Sequence, residues 1–553
     1  MTTPVDLRST QVLWRLALGL SVAYALALVL PIPLFDPDEG LHAAIAREMV
    51  EHGDWVTPHL LGVPFLDKPI LYFWALATSL SVFGPSEFAV RLPGIAFGIA
   101  GVLATASLGA ALGGRRAGAL SGLIHATMLV PFAVSAVSVH DIALVPFTTL
   151  TMLALWRAAR AGNTGAAIAW GAAAGVVLGL AVLTKALSGV AAVGLPFAIW
   201  MVWDRRVRVS LLAAGVVCVA VAALVALPWY LAMEHANAGY LHYYFVERHL
   251  LGYTTSTQLH GQRAWWYYLP IVAAGALPWT GFLWMALRDM RQGGSRDEVS
   301  VHRLLWTWLV VGLVFFSSAG SKLLTYVLPL FPVVALLVGT MWNRRWQAND
   351  IDDRGMRRAD SLGGGLLSLL LPLLVGVAMQ RFNLTPEPLF GTFVVVGGLG
   401  VAGFWLRGTR TTARDRFVRL VAAFGVVAAL AVLVVMAPAG PAFSARAVAR
   451  YYNAQGAVPP TIWFVNERVG SFLFYLDRDL RESFRPDTAE NVTLERLLSM
   501  RQAPPGLAIA VPFEQVALIE RRISLAGVPH MIAGQHRIYE GAVFADAIRR
   551  GAR

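Results

Sequence analysis

Residues 165–228 read GAAIAWGAAAGVVLGLAVLTKALSGVAAVGLPFAIWMVWDRRVRVSLLAAGVVCVAVAALVALP. Three apolar runs lie in this stretch, at 165–183, 187–203 and 209–228. Each is close to the roughly 20 residues that cross a bilayer as a helix. Two short breaks separate them. One is Thr184-Lys185; the other holds Arg205, Arg206 and Arg208. Arginines on one side and almost none on the other is the charge asymmetry of a chain threading a membrane. The composition agrees. Of 553 residues, 57% are hydrophobic and 14% are charged, against about 25% charged in soluble domains. The 18 Trp and 27 Phe exclude a disordered chain. The single Cys218 excludes a disulfide framework and a cysteine-based zinc site. The net charge of +12 belongs to loop arginines, so no nucleic-acid partner is expected.

Extending the same reading gives thirteen spans, near 11–33, 93–112, 118–138, 141–160, 165–183, 187–203, 209–228, 267–288, 303–319, 323–342, 362–379, 388–406 and 417–437. The first lacks a cleavage site and reads as an uncleaved anchor. Pro69–Phe83 is short and reads as an interfacial helix. With the N-terminus inside, alternate loops are arginine-rich, from Arg115/Arg116 to Arg407–Arg416. The other loops face outward: 34–92, His140-Asp141, Thr184-Lys185, 229–266, Gly320–Lys322 and 380–387. The expected fold is therefore an all-α polytopic bundle over 1–437. Residues 438–553 form a small outer α/β domain, with strands at Thr461–Val465, Ser471–Leu476 and Leu507–Val511 and helices at Thr493–Met500 and Glu514–Leu525. Gly398–Gly403 matches a dinucleotide motif, but inside an apolar span it reads as helix packing.

The chain has only three lysines, Lys68, Lys185 and Lys322, against 42 arginines. All three fall on the outer side, where cations are scarce. Two sit in turns between spans, where an ionisable group points to function; the alternative is snorkelling to headgroups. After the first span come Asp36-Pro37-Asp38-Glu39 and a helical stretch to about His52. Asp36 reads as an N-cap and Glu39 as its capping-box partner. Capping does not require Asp38, which stands at the positive end of the helix. Asp67-Lys68 reads as an adjacent ion pair, and Glu87 with Arg91 as a helical one. Tyr326, four after Lys322, would share its face.

Several motifs now fall in order: Asp38-Glu39, Asp67-Lys68-Pro69, Glu87–Pro93, His140-Asp141, Thr184-Lys185 and Ser321-Lys322 with Tyr326. Over residues 10–340 this set resembles the bacterial membrane glycosyltransferases related to protein O-mannosyltransferases, in particular those that transfer 4-amino-4-deoxy-L-arabinose to lipid A. The resemblance implies a C-type glycosyltransferase fold in the inner membrane and a site facing the periplasm. It also implies an undecaprenyl-phosphate-linked sugar donor and a lipid A acceptor. One departure is Asp67, where the family pattern has Glu.

The chemistry fits these residue types. A sugar–phosphate bond breaks more easily when cations meet the developing charge in a partly dry cleft. Lys68, Lys185 and Lys322 are candidates, helped by Arg248 and His249 from the long outer loop. Asp38 is the candidate base for an acceptor hydroxyl; for an acceptor phosphate it would orient the acceptor or stabilise the sugar ring. Asp141, with His140, is a second carboxylate. The aromatics of 229–266 form an interfacial belt or a lid that stacks on sugar. His242, Glu247 and His249 would be the ligands if a divalent metal is used. Protein O-mannosylation or transfer to another envelope glycan from a polyprenyl-phosphate sugar, and a lipid transporter or flippase, are the competing readings; a transporter would place its charges at mid-span and on both faces.

Overall fold

A computed structural model describes residues 7–251, 263–291, 294–348, 354–382, 398, 412–467, 470–484 and 489–551. The protein is a multi-pass helical bundle with a small C-terminal sheet region. Among the described residues, seven helices are long and apolar enough to cross a membrane. An eighth is gained if Tyr268–Gly275 and Thr280–Asp289, bent by 99°, form one span. Shorter apolar helices cover Arg15–Val29, Leu71–Phe83 and Leu187–Trp203. Apart from Gly398, the span expected at 388–406 lies outside the described residues, as does the turn after 382.

Two expected spans are interrupted. The run 267–288 breaks where Leu277 meets Pro278, because a proline supplies no N–H to continue the helix. The run 118–138 breaks between Ala126 and Leu129. The long apolar stretch Glu87–Ala126 turns back on itself at Gly114, whose φ of 87° suits a residue without a Cβ. Small residues let the two arms touch: a Cβ added at Gly118 would lie 2.4 Å from the Ala106 carbonyl.

Close backbone packing also sets the helix that ends at Lys185. Gly171, Gly175 and Gly179 recur every fourth residue on Thr164–Lys185 and meet Ala214, Cys218 and Val225 of Val209–Ala236. A Cβ at Gly171 would stand 2.4 Å from the Ala214 carbonyl. In a bilayer, where lipid competes with apolar side chains, such small-residue faces drive helix association.

The C-terminal strands lie in the order Ala489–Val492, Thr461–Val465, Leu507–Pro512, His536–Glu540, His530–Ala533. The first three pair in parallel and the rest antiparallel. Alternation splits the sheet into two apolar faces. Ile462, Phe464, Ala508, Ala510 and Ile538 join the main core; Trp463, Val465, Ile509, Val511 and Tyr539 build a second one with the helices Leu494–Leu498, Phe513–Glu520 and Gly541–Gly551. The expected strand at Ser471–Leu476 is instead a helix, Gly470–Tyr475. Its run is buried on every side, and a continuous apolar segment carries no period to separate strand from helix.

Candidate functional site

The helix Asp38–His52 begins after Pro37 without a side-chain cap and ends at Gly53, whose φ is 72°. The expected capping box is absent. The Asp36 carboxylate turns away to accept from the backbone N–H of Ser471 at 3.0 Å and from its hydroxyl. Burial pushes the Asp36 carboxyl up to about 8, although both Ser471 bonds favour its charged form. Glu39 is fully buried and forms a two-pronged pair with Arg91, at 2.9 and 3.0 Å. Arg91 also donates to the Ile32 and Pro33 carbonyls, and Glu39 accepts from the N–H groups of Phe35 and Ser138. Such a pair survives burial because its donors and acceptors are met. The expected Glu87–Arg91 pair is replaced by it; Glu87 holds Arg446 and the Tyr475 hydroxyl. Glu39 thus ties the start of this helix to the stretch that carries His140 and Asp141.

Asp141 is buried and accepts from the Lys185 ammonium and the Thr325 hydroxyl. Lys185 is the last residue of its helix, and its ammonium lies 3.7 Å from the centre of the Tyr326 ring. The geometry is a cation over an aromatic face. The imidazole of His140 meets the Thr184 carbonyl at 2.9 Å and so fixes the end of that helix beside Asp141. Asp38 and Lys68 border the same group. The charge of Asp38 acts on His42, Lys185 and Tyr326; that of Lys68 acts on His42, His140, Asp141 and Lys185. Both are half-buried, and neither makes a hydrogen bond or ion pair among the described residues.

Sequence reasoning missed His42 and Thr325. His42 stands one helical turn after Asp38, a spacing visible in the sequence. It is buried against Tyr72, Phe73 and His140. Burial pushes its imidazole down to about 4, against the pull of the Asp38 carboxylate. Thr325 lies in the helical turn Leu324–Leu330, at the start of the expected span 323–342, with no pattern to single it out.

Other expectations change. Asp67 does not pair with Lys68; it accepts from the Tyr243 hydroxyl at 2.7 Å and pairs with Arg248 at 3.1 Å. Adjacent side chains point apart here, and the shorter carboxylate is taken by the π-helical segment His242–Leu251. Lys322 stays outside the cluster. Its buried ammonium is held by the carbonyls of Ala319 at 2.6 Å and Arg263 at 3.3 Å. It precedes the helical turn Leu324–Leu330, so it shares no helical face with Tyr326. Tyr240 and Tyr244 are buried and stack on each other at 5.4 Å, so they belong to packing rather than to an open sugar platform. Trp265 and Trp266 are exposed, as a membrane belt requires. His242 and Glu247 form an exposed pair at 3.4 Å, and the His249 side chain lies outside the described residues. Among the described residues, no three His, Cys, Asp or Glu side chains converge as metal ligands.

The site therefore joins two unpartnered groups of opposite charge to a buried carboxylate–ammonium pair at one end of the bundle. Comparison with known proteins identifies the family. An undecaprenyl phosphate-alpha-4-amino-4-deoxy-L-arabinose arabinosyl transferase of Pseudomonas paraeruginosa is 33% identical over 407 residues, 70% of each chain. The chain belongs to this family of membrane glycosyltransferases. The corresponding arabinosyl transferase of Pseudomonas aeruginosa PAO1 is 32% identical over 69% of this chain and 70% of that one. The family described as dolichyl-phosphate-mannose-protein mannosyltransferase matches residues 41–244. This chain shares its fold with a solved structure, ArnT from Cupriavidus metallidurans bound to undecaprenyl phosphate. It has a TM-score of 0.70 and 21% identity, over 95% of this chain and 97% of that one.

Proposed function

We propose that this glycosyltransferase moves 4-amino-4-deoxy-L-arabinose from undecaprenyl phosphate to a lipid A phosphate, at the periplasmic face of a bacterial inner membrane. The observation that carries the reading is that Asp38 and Lys68, neither with a hydrogen bond or ion pair among the described residues, both border the buried Asp141–Lys185 pair. In the proposed step an acceptor phosphate oxygen attacks the sugar C1. The C1–oxygen bond to the donor breaks, and its electron pair leaves on undecaprenyl phosphate. Lys68 meets that growing negative charge, with Lys185 behind it as a second positive centre and Arg248 arriving from the outer loop as a fork. Because the attacking oxygen is already ionised, Asp38 need not remove a proton. It orients the acceptor and stabilises positive character on the ring. Asp141 keeps Lys185 charged and in place. Asp67 acts one layer out, holding Tyr243 and Arg248. Residues 438–553 would sit on the outer side, over this rim.

The test is incubation of the purified protein with defined polyprenyl-phosphate sugars and lipid A, read by mass spectrometry. Addition of one aminoarabinose to lipid A is the expected product; no transfer from that donor would overturn the reading. Sidedness is tested in a Cys218→Ser background. Trp265→Cys should label from outside the cell and Arg116→Cys should not; the reverse pattern would overturn the orientation.

A further inference from the structure

The helix that carries Asp38 is held from behind by the C-terminal sheet region. Ser471 donates its N–H and its hydroxyl to Asp36, and its hydroxyl oxygen accepts from the Ala445 N–H at 2.9 Å. Gly40 and Gly470 bring the two backbones into contact. A Cβ at Gly40 would stand 2.4 Å from the Ser471 nitrogen, and one at Gly470 would stand 2.3 Å from the Leu41 nitrogen. Further along, Arg47 donates to the carbonyls of Phe474 and Leu476, and Glu51 pairs with Arg481. The Tyr475 hydroxyl accepts from Leu34 and donates to Glu87, both at 2.9 Å. On its other side Asp36 borders an apolar cavity of about 430 Å³, whose walls include Phe132, Phe424 and Phe443. Ser471 is therefore the only side-chain partner of Asp36 among the described residues.

This seam has a purpose that packing alone does not explain. A helix N-terminus leaves N–H groups unsatisfied, and the helix Asp38–His52 has no side-chain cap of its own. Its first turn is fixed by tertiary contacts, and Asp38 projects from that turn. We propose that Ser471 is a positioning residue for glycosyl transfer: through Asp36 and the Gly40–Gly470 contact it sets where the Asp38 carboxylate stands. The C-terminal region is then part of the catalytic apparatus through Ser471, which acts on Asp36. The inference rests on Asp38 being a group that meets substrate, as proposed above. A displacement of about 1 Å at such a group costs on the order of a hundredfold in rate.

The test compares Ser471→Ala, which removes the hydroxyl's bonds to Asp36 and from Ala445, with Gly470→Ala, which inserts a methyl into the seam. Arg496→Ala, on the exposed side of the sheet region, serves as control. The full-length proteins are assayed for kcat, for KM of the donor and for melting temperature in detergent. The expected result for Ser471→Ala is a kcat per folded molecule reduced about tenfold or more, with KM within about twofold, beyond what the lower melting temperature from the unmet Ala445 N–H accounts for. Gly470→Ala should show a larger loss of kcat, and Arg496→Ala should match wild type. Ser471→Ala is mild enough to fold even where Gly470→Ala does not. A wild-type kcat in Ser471→Ala overturns the inference and leaves the functional reading intact. So does a loss that merely tracks unfolded protein. Absence of transfer by the wild-type protein overturns that reading, and the inference with it.

Discussion

The two ends of the helix bundle treat charge in opposite ways. At the end reached by Asp204 and the helix Arg296–Ser318, the acidic side chains are matched. Asp204 accepts from Arg206, Ser300 and Arg303; Asp289 pairs with Arg345, Asp360 with Arg416, and Asp297 with both prongs of Arg160. At the other end Asp141 and Lys185 are matched, but Asp38 and Lys68 are not. A partly buried charge with no partner costs stability, and a fold keeps one where a ligand completes it. The matched end is built to hold; the unmatched end is the one proposed to bind. The lysines follow the division. Arginine forks suit fixed carboxylate partners, whereas Lys68 in its proposed role offers a point charge to a phosphate that comes and goes.

The largest expected effect breaks this contrast directly. Asp38→Asn should lower transfer about 10²–10⁴-fold while the protein inserts and melts as wild type. Asp204→Asn at the matched end should lower the melting temperature and leave transfer per folded molecule unchanged. Equal catalytic losses in the two variants would abolish the distinction. Next in size is Lys185→Met, which strands a buried carboxylate. Its cost should be on the order of 3–5 kcal/mol. Adding Asp141→Asn should restore the melting temperature without restoring transfer, because the cation near the leaving phosphate is still missing. Recovery of transfer in the double variant would show that the pair serves structure alone.

Where the sequence was legible, the reason was position along a span. A carboxylate just after one span, an Asp at the start of another and a Lys at the end of a third must share one rim of the bundle. That logic brought Asp38, His140, Asp141 and Lys185 together; Tyr326, expected through a helical face shared with Lys322, joins them through Lys185 instead. The same logic failed for Lys322, because sharing a rim does not say where a side chain points, and two carbonyls claim this one. Local rules failed where distant residues outbid them. Glu39 sits in the capping-box place, yet Arg91 and Ser138 take its oxygens. Asp67 precedes Lys68, yet Tyr243 and Arg248 take its carboxylate. Ser471 lies 435 residues from Asp36, and no pattern in the chain joins them. The helix at Gly470–Tyr475 was hidden for a related reason: burial on all sides erases the alternation by which strands and helices are told apart.

A smaller effect sharpens the contrast within one residue type. Lys68→Ala should weaken binding of polyprenyl phosphate by about tenfold or more, the worth of one hydrogen bond to a charged group, with no change in melting temperature. Lys322→Ala should do the reverse, lowering the melting temperature and leaving phosphate binding as it was. If Lys68→Ala destabilised the protein instead, Lys68 would have a protein partner and would not be the free cation of the site.

The smallest effect concerns His42, which packs under the unmatched end as a neutral ring. Its folded-state value of about 4 lies below the ordinary 6.5 of histidine. The unfolded chain therefore binds a proton through this range before the folded one does. Its contribution to stability is complete above about pH 6.5 and is lost progressively as pH falls to about 4. His42→Phe keeps an aromatic ring against Tyr72, Phe73 and His140 but takes up no proton. Its melting temperature should fall less steeply than wild type between pH 6.5 and 4. Parallel curves would mean that His42 charges as easily in the fold as outside it, which requires a route for water to the ring. The wall behind Asp38 would then be wet, and the separation between a packed wall and an open rim would have to be redrawn.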